Sequence, residues 1–269
     1  MCGICPSSNA KGSATIPFDY HRELIWIEVT INGKGGLNFL FDSGAEQSGI
    51  DTRTAKKLGI TFVGSEIVQR VNGDEVAYQA QEVNLQVHNQ LTWSASLLAL
   101  NLRHESRVLR RRVDGLLGMD FMAGKVIRID YDSKCMVVGA KVVTKGRTMI
   151  PIQLNRGNPC VTLTVDDRYE LPRVRIDTGC NQSLQWSTII PPESGQGSSK
   201  ATIGSWMKRA RTQKNGIVLG TQRIDAVSTS YHRRPIFPNE QGLLGNGLLS
   251  RFGTITLDFA RKYLVLGER

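Results

Sequence analysis

The chain has 269 residues, is 40% hydrophobic and 22% charged, and carries a formal net charge of +10. That balance suits an ordinary globular protein with apolar material for one large or two small cores, and two domains are the better expectation at this length. No apolar run approaches the ~18 residues that a bilayer span needs, and the basic residues are spread along the chain, which argues against a membrane segment and a nucleic-acid partner.

In chain order, residues 1–15 read as a flexible tail. Their start, Met1-Cys2-Gly3-Ile4-Cys5-Pro6, lacks a basic region followed by an apolar stretch, so no intact signal peptide is expected. Cys2 and Cys5 have CxxC spacing, but no second pair completes a zinc site. The five cysteines, at positions 2, 5, 135, 160 and 180, do not suggest a disulfide framework, and a reducing, cytoplasmic setting is preferred. Ile25, Ile27, Val29 and Ile31 alternate with other residues and stop at Asn32-Gly33, a strand pattern. Phe41-Asp42-Ser43-Gly44-Ala45 follows. Residues 51–58 are the clearest helix, with Asp51 or Thr52 as its cap and Gly59 as its stop. Asn72-Gly73, between Val68/Val71 and Val76/Tyr78, predicts a tight hairpin because both turn positions need positive φ. Gly115-Leu116-Leu117-Gly118 and Ile127-Arg128-Ile129-Asp130-Tyr131 come next, and Met136-Val137-Val138 is a further strand.

The second half repeats this series. Ile16-Pro17 recurs as Ile150-Pro151 and Phe41-Asp42-Ser43-Gly44 as Ile176-Asp177-Thr178-Gly179, 134 and 135 residues later. Gly242-Leu243-Leu244-Gly245 and Ile255-Thr256-Leu257-Asp258-Phe259 match the later segments, and Leu264-Val265-Leu266 closes this half in another strand. Ordered matches at nearly constant offset indicate internal duplication: an N-terminal lobe of residues 16–145 and a C-terminal lobe of 148–269, both β-dominated.

A single Asp-Ser-Gly after an apolar strand is a weak signal, since Asp and Gly are ordinary turn residues. Two copies at corresponding places would bring two carboxylates together about a pseudo-twofold, where one keeps its proton because both cannot ionise cheaply. With their Gly-Leu-Leu-Gly partners, the motifs resemble those of the retropepsin-like and pepsin-like aspartic peptidases, over nearly all of the chain after residue 15. The short lobes look more like fused tandem retropepsin-like domains than a pepsin. The resemblance implies an all-β fold of two homologous β-barrel lobes with the active site at their interface, and aspartic endopeptidase activity on a peptide or protein substrate.

On that resemblance Asp42 and Asp177 activate a water between them. Ser43 and Thr178 interlock the two loops, Gly44 and Gly179 let backbone N–H groups approach the carboxylates, and Leu117, Gly118, Leu244 and Gly245 buttress the loops from behind. Asn72, Gly73 and Tyr78 fall where the family carries the flap that closes over substrate; the second flap is placed at Gly204-Ser205-Trp206, with Asn215-Gly216 as the next choice. No cofactor or metal is implied, and one chain supplying both aspartates implies a monomer. The alternative is a non-catalytic peptide-binding or regulatory protein of the same bilobal fold, against which both Asp-x-Gly motifs are intact.

Ala45 and Cys180 stand where pepsins place a hydroxyl that donates to the ionised aspartate, so a milder pH optimum than that of strongly acidic enzymes is expected. Arg110-Arg111-Arg112 and Arg233-Arg234 each precede a Gly-Leu-Leu-Gly; they read as solvated charge runs or as two basic loops about the cleft that favour acidic substrates. The four histidines show no metal-ligand spacing, and no Gly-x-Ser-x-Gly elbow is present.

Overall fold

The computed structural model describes residues 12–70, 73–88, 90–188 and 211–267. Strands dominate, as the alternating pattern predicts. The first half opens with β1 (Ala14–Pro17), β2 (Asp19–His21) and β3 (Leu24–Ile31); Asn32 and Gly33, both at positive φ, turn β3 back into β4 (Lys34–Phe41). The short β5 (Gly49–Asp51) runs into α1 (Thr52–Leu58). The Asp51 carboxylate accepts from the N–H groups of Arg53 and Thr54, and Gly59 ends the helix at φ 72°, so both signals read for residues 51–58 operate. The hairpin expected at Asn72-Gly73 is formed by β6 (Phe62–Arg70) and β7 (Gly73–Ala80), whose last pair is Arg70 with Gly73; Asn72 lies outside the described residues. There follow β8 (Val83–Val87), β9 (Leu91–Ala95), β10 (Leu98–Leu100), α2 (Arg103–Leu109), β11 (Gly115–Leu117), α3 (Met119–Met122), β12 (Val126–Asp130) and β13 (Cys135–Val138).

The second half comprises β14 (Thr148–Pro151), β15 (Gln153–Asn155), β16 (Asn158–Val165), β17 (Tyr169–Asp177), β18 (Leu184–Ser187), β19 (Arg211–Leu219), β20 (Gln222–His232), β21 (Gly242–Gly245), α4 (Asn246–Leu249), β22 (Thr254–Asp258) and β23 (Tyr263–Leu266). Gly204 and Trp206 lie outside the described residues. Asn215-Gly216 is not a hairpin turn. Asp166, between β16 and β17, accepts from Asn215 Nδ2 at 2.6 Å and from Gly216 N at 2.8 Å, which holds the pair inside β19 beside a bulge. The chain reverses instead at Gly220, φ 62°.

Six strands of each half follow one order, β8-β3-β4-β11-β5-β10 in the first and β19-β16-β17-β21-β18-β20 in the second. In both, the strand leading to the aspartate (β4, β17) pairs in parallel with the Gly-Leu-Leu strand (β11, β21). In the second half β19 also pairs with β16, closing the six strands on themselves; in the first, β10 pairs onward with β7. A further six-stranded sheet, β1-β13-β12-β22-β23-β14, draws three strands from each half. Its central pair sets Ile127 opposite Leu257 and Ile129 opposite Ile255, all fully buried, so the core runs continuously from one half into the other. The repeated Ile-Pro pairs sit on its two edge strands, where a proline lacking an N–H breaks no ladder.

Cys160 and Cys180 are free and buried, whereas Cys135 is disulfide-bonded. That bond removes the cysteine-based ground for preferring a reducing compartment.

Candidate active site

The two aspartates stand at the ends of matching strands. Asp42 follows β4 directly and its N–H donates to the Leu117 carbonyl at 2.9 Å, while Asp177 closes β17 in register with Gly245. The residues after them lock together. Ser43 N donates to Thr178 Oγ1 at 2.9 Å and Thr178 N to Ser43 Oγ at 3.1 Å; Ser43 Oγ donates to the Ile176 carbonyl at 2.8 Å and Thr178 Oγ1 to the Phe41 carbonyl at 2.9 Å. Each hydroxyl thus accepts once and donates once across the pair, and both side chains are fully buried.

This interlock brings the carboxyl groups face to face. Gly44 N and Gly179 N each donate to Oδ1 of their own loop's aspartate at 2.9 Å. A Cβ on Gly44 would lie 2.6 Å from Asp177 Cγ, and one on Gly179 closer still to Asp42 Cγ, so glycine at both places is a steric requirement of the opposing carboxylate. The two carboxyls are in hydrogen-bond contact, an arrangement in which the pair shares a proton. Burial, then the charge of Asp42, pushes Asp177 up to about 8, against the pull of Arg175 and the Gly179 N–H. Burial also raises Asp42, but the Gly44 N–H, the hydrogen bond with Asp177 and Arg175 all favour its charged form. Cys180, pushed up to about 12 by burial and then by Asp177, stays a thiol.

Behind the loops, Leu117 and Leu244 are fully buried. A Cβ on Gly118 would lie 2.7 Å from the Gln47 carbonyl carbon, and Gly245 is packed still more closely on the backbone of Cys180 and Gln182. Met119 N donates to the Ala45 carbonyl at 2.8 Å and Asn246 N to the Cys180 carbonyl at 2.9 Å, tying each aspartate loop to the turn after its Gly-Leu-Leu-Gly. Residues 27–121 match the family described as aspartyl protease. The matching family is an aspartyl protease family of the retropepsin-like clan. The aspartyl protease match takes in Asp42, Ser43, Gly44, the β6–β7 hairpin and Gly118. No curated protein matches the chain.

Four further residues of the site, Arg175, Glu240, Phe237 and Asn246, lie outside the sequence motifs. Arg175, two residues before Asp177, forms a bidentate pair with Glu240, both contacts at 2.8 Å, and its third nitrogen donates to the Gly44 carbonyl of the opposite loop at 2.7 Å. Arg175 is 6% and Glu240 4% exposed, and the guanidinium lies 3.8 Å over the Phe237 ring. Asn246 Nδ2 donates to the Thr178 carbonyl at 2.6 Å and Asn246 Oδ1 accepts from Tyr131 Oη at 2.8 Å, another bridge from one half to the other.

The remaining expected residues scatter. Tyr78 is 47% exposed in β7, its ring stacked on Phe62 at 5.8 Å, and with Ile67 and Val76 it gives the hairpin an exposed apolar face. Gly73 begins β7 at φ 113°. Arg110, Arg111 and Arg112 lie beside α1 and α2, and Arg233 and Arg234 are exposed after β20. Among the described residues no helix is long and apolar enough to cross a membrane.

Proposed function

We propose that the chain is an aspartic endopeptidase that hydrolyses peptide bonds with a water activated between Asp42 and Asp177. The observation that carries this reading is the reciprocal Ser43–Thr178 interlock, which sets two buried carboxyls in hydrogen-bond contact. Asp42, the ionised member, takes the proton from the water as it attacks. Asp177, the protonated member, donates to the scissile carbonyl oxygen as negative charge develops there. The tetrahedral intermediate then collapses as the pair delivers a proton to the departing nitrogen. No covalent intermediate is required, and the protonated Cys180 is no nucleophile.

Residues 16–145 and 148–269 are read as two homologous lobes, a division supported by their common strand order and by the two loops meeting at one place; the strand pairing of the first lobe begins slightly earlier, at Ala14. One chain supplies both aspartates, so a monomer suffices. The β6–β7 hairpin, with its exposed Ile67, Val76 and Tyr78, is the candidate flap over a bound peptide.

The test is cleavage of a peptide library by wild-type protein, with an aspartic-peptidase transition-state analogue as inhibitor. Inhibitable cleavage is expected. Binding of peptides without cleavage at any pH would instead assign the chain to non-catalytic peptide recognition.

A further inference from the structure

Among the described residues, a dense group of cations lies on α1, α2 and the segment after α2, and neither aspartate lines it. A concavity of about 670 Å³ opens between α1, α2 and the segment leading from α2 to β11. Arg53 and Lys57 line it from α1, and Arg103 and Arg107 from α2. Within each helix these cations are four residues apart on one face, a spacing at which like charges repel and weaken the helix. The two helices then turn those faces toward the same space. Arg110, Arg111 and Arg112 add three more guanidinium groups, and Ser106 is the single uncharged side chain of the lining.

Three of the seven cations are paired, Arg53 with the buried Asp51, Arg112 with the buried Asp114 and Arg111 with the exposed Asp19. The Asp51 and Asp114 side chains are only 2% and 3% exposed, so they fix the orientation of their arginines without presenting negative charge to the opening. Among the described residues, Lys57, Arg103, Arg107 and Arg110 have no carboxylate partner. Glu105, the acidic residue of α2, is engaged on Arg70. The concavity therefore carries an uncompensated surplus of about four positive charges at short range, a configuration that an anion would relieve.

We propose that this concavity is a binding site for a compact anion carrying several phosphate groups. Six of its seven cations are arginines, whose planar forks bind phosphate oxygens in bidentate fashion. Its lining includes no aromatic residue on which a nucleobase could stack and no hydrophobic residue to seat a peptide side chain, so neither a single-stranded nucleic acid nor an acidic polypeptide fits it as well. The volume is that of a small-molecule site. The phosphates could belong to an inorganic polyphosphate chain or to a nucleoside triphosphate.

The test is titration calorimetry on the full chain at low ionic strength with tripolyphosphate as probe, on wild type, on Arg103→Ala/Arg107→Ala, and on Arg233→Ala/Arg234→Ala as an equal loss of exposed charge elsewhere. Saturable one-to-one binding is expected, weakened at least about tenfold in the first double variant and unchanged in the second. ATP binding more tightly than tripolyphosphate would assign the phosphates to a nucleotide, and equal affinity would assign them to the inorganic chain. The proposal is overturned by the absence of saturable binding, by equal weakening in both double variants, or by tighter binding of a hexaglutamate peptide or a short single-stranded oligonucleotide. All these measurements are made without peptide substrate, so their outcome is independent of whether the chain cleaves peptides.

Discussion

The two halves place the same six strands in the same order around their aspartates, yet they fill equivalent positions behind the loops with opposite chemistry. In the first half Leu40, two residues before Asp42, and Val113, two before Gly115, belong to one buried apolar cluster with Trp26 and Leu98. In the second half the corresponding residues are Arg175 and Glu240, a buried ion pair whose guanidinium also reaches the Gly44 carbonyl. An apolar pair holds its strands by excluding water and is indifferent to the neighbouring charges. The ion pair puts a fixed positive charge beside two carboxyls and so biases their protonation. Sequence-equivalent scaffolds can therefore make an electrostatically unequal dyad.

Breaking that pair gives the largest expected effect on stability. Glu240→Ala leaves the Arg175 charge buried without its partner and should cost about 3–5 kcal/mol, read from chemical denaturation. Copying the first half into the second, Arg175→Leu with Glu240→Val, should cost far less, because no unpaired charge remains. It should also move the pH–activity profile upward, since Arg175 lowers both aspartates. A double variant as unstable as Glu240→Ala, or with an unmoved profile, would show that the pair acts in some other way.

Next in size is the interlock. Ser43→Ala or Thr178→Ala strands buried N–H and C=O groups on the opposite loop and should each destabilise by about 1–3 kcal/mol. Because the two side chains share their partners, the double variant should lose less than the sum of the singles. Additive losses would mean that the loops are held independently.

The smallest effect concerns pH and stability. Asp177 is raised in the folded state, so it binds its proton more tightly there than in the unfolded chain, and its contribution to stability is complete below the ordinary carboxylate range and lost as pH rises through about 8. The melting temperature of the wild type should therefore fall across that interval, and Asp177→Asn should flatten the fall. An identical pH dependence in the two proteins would mean that Asp177 is not the proton-holding member.

What could be read from the sequence was local. Asp42, Ser43, Gly44 and their counterparts are contiguous, so two short matching strings reveal them, and the Asp51 cap and the Gly59 stop lie at the ends of a single helix turn pattern. Arg175 escaped because an arginine in an alternating strand reads as facing solvent; its burial depends on Glu240, far along the chain. Asn215-Gly216 misled for a related reason, since a strong turn dipeptide was held straight by Asp166 from another hairpin. Long-range pairing also explains the six-stranded sheet shared by both halves, which no local pattern announces.

The central claim is that Asp42 and Asp177 act as one unit, and kcat/KM for peptide cleavage by Asp42→Asn, Asp177→Asn and the double variant tests it most directly. The account predicts that each single substitution lowers kcat/KM by at least about 10³-fold and that the double variant is no worse than either. Substantial cleavage surviving in one single variant, or losses that multiply in the double, would contradict it.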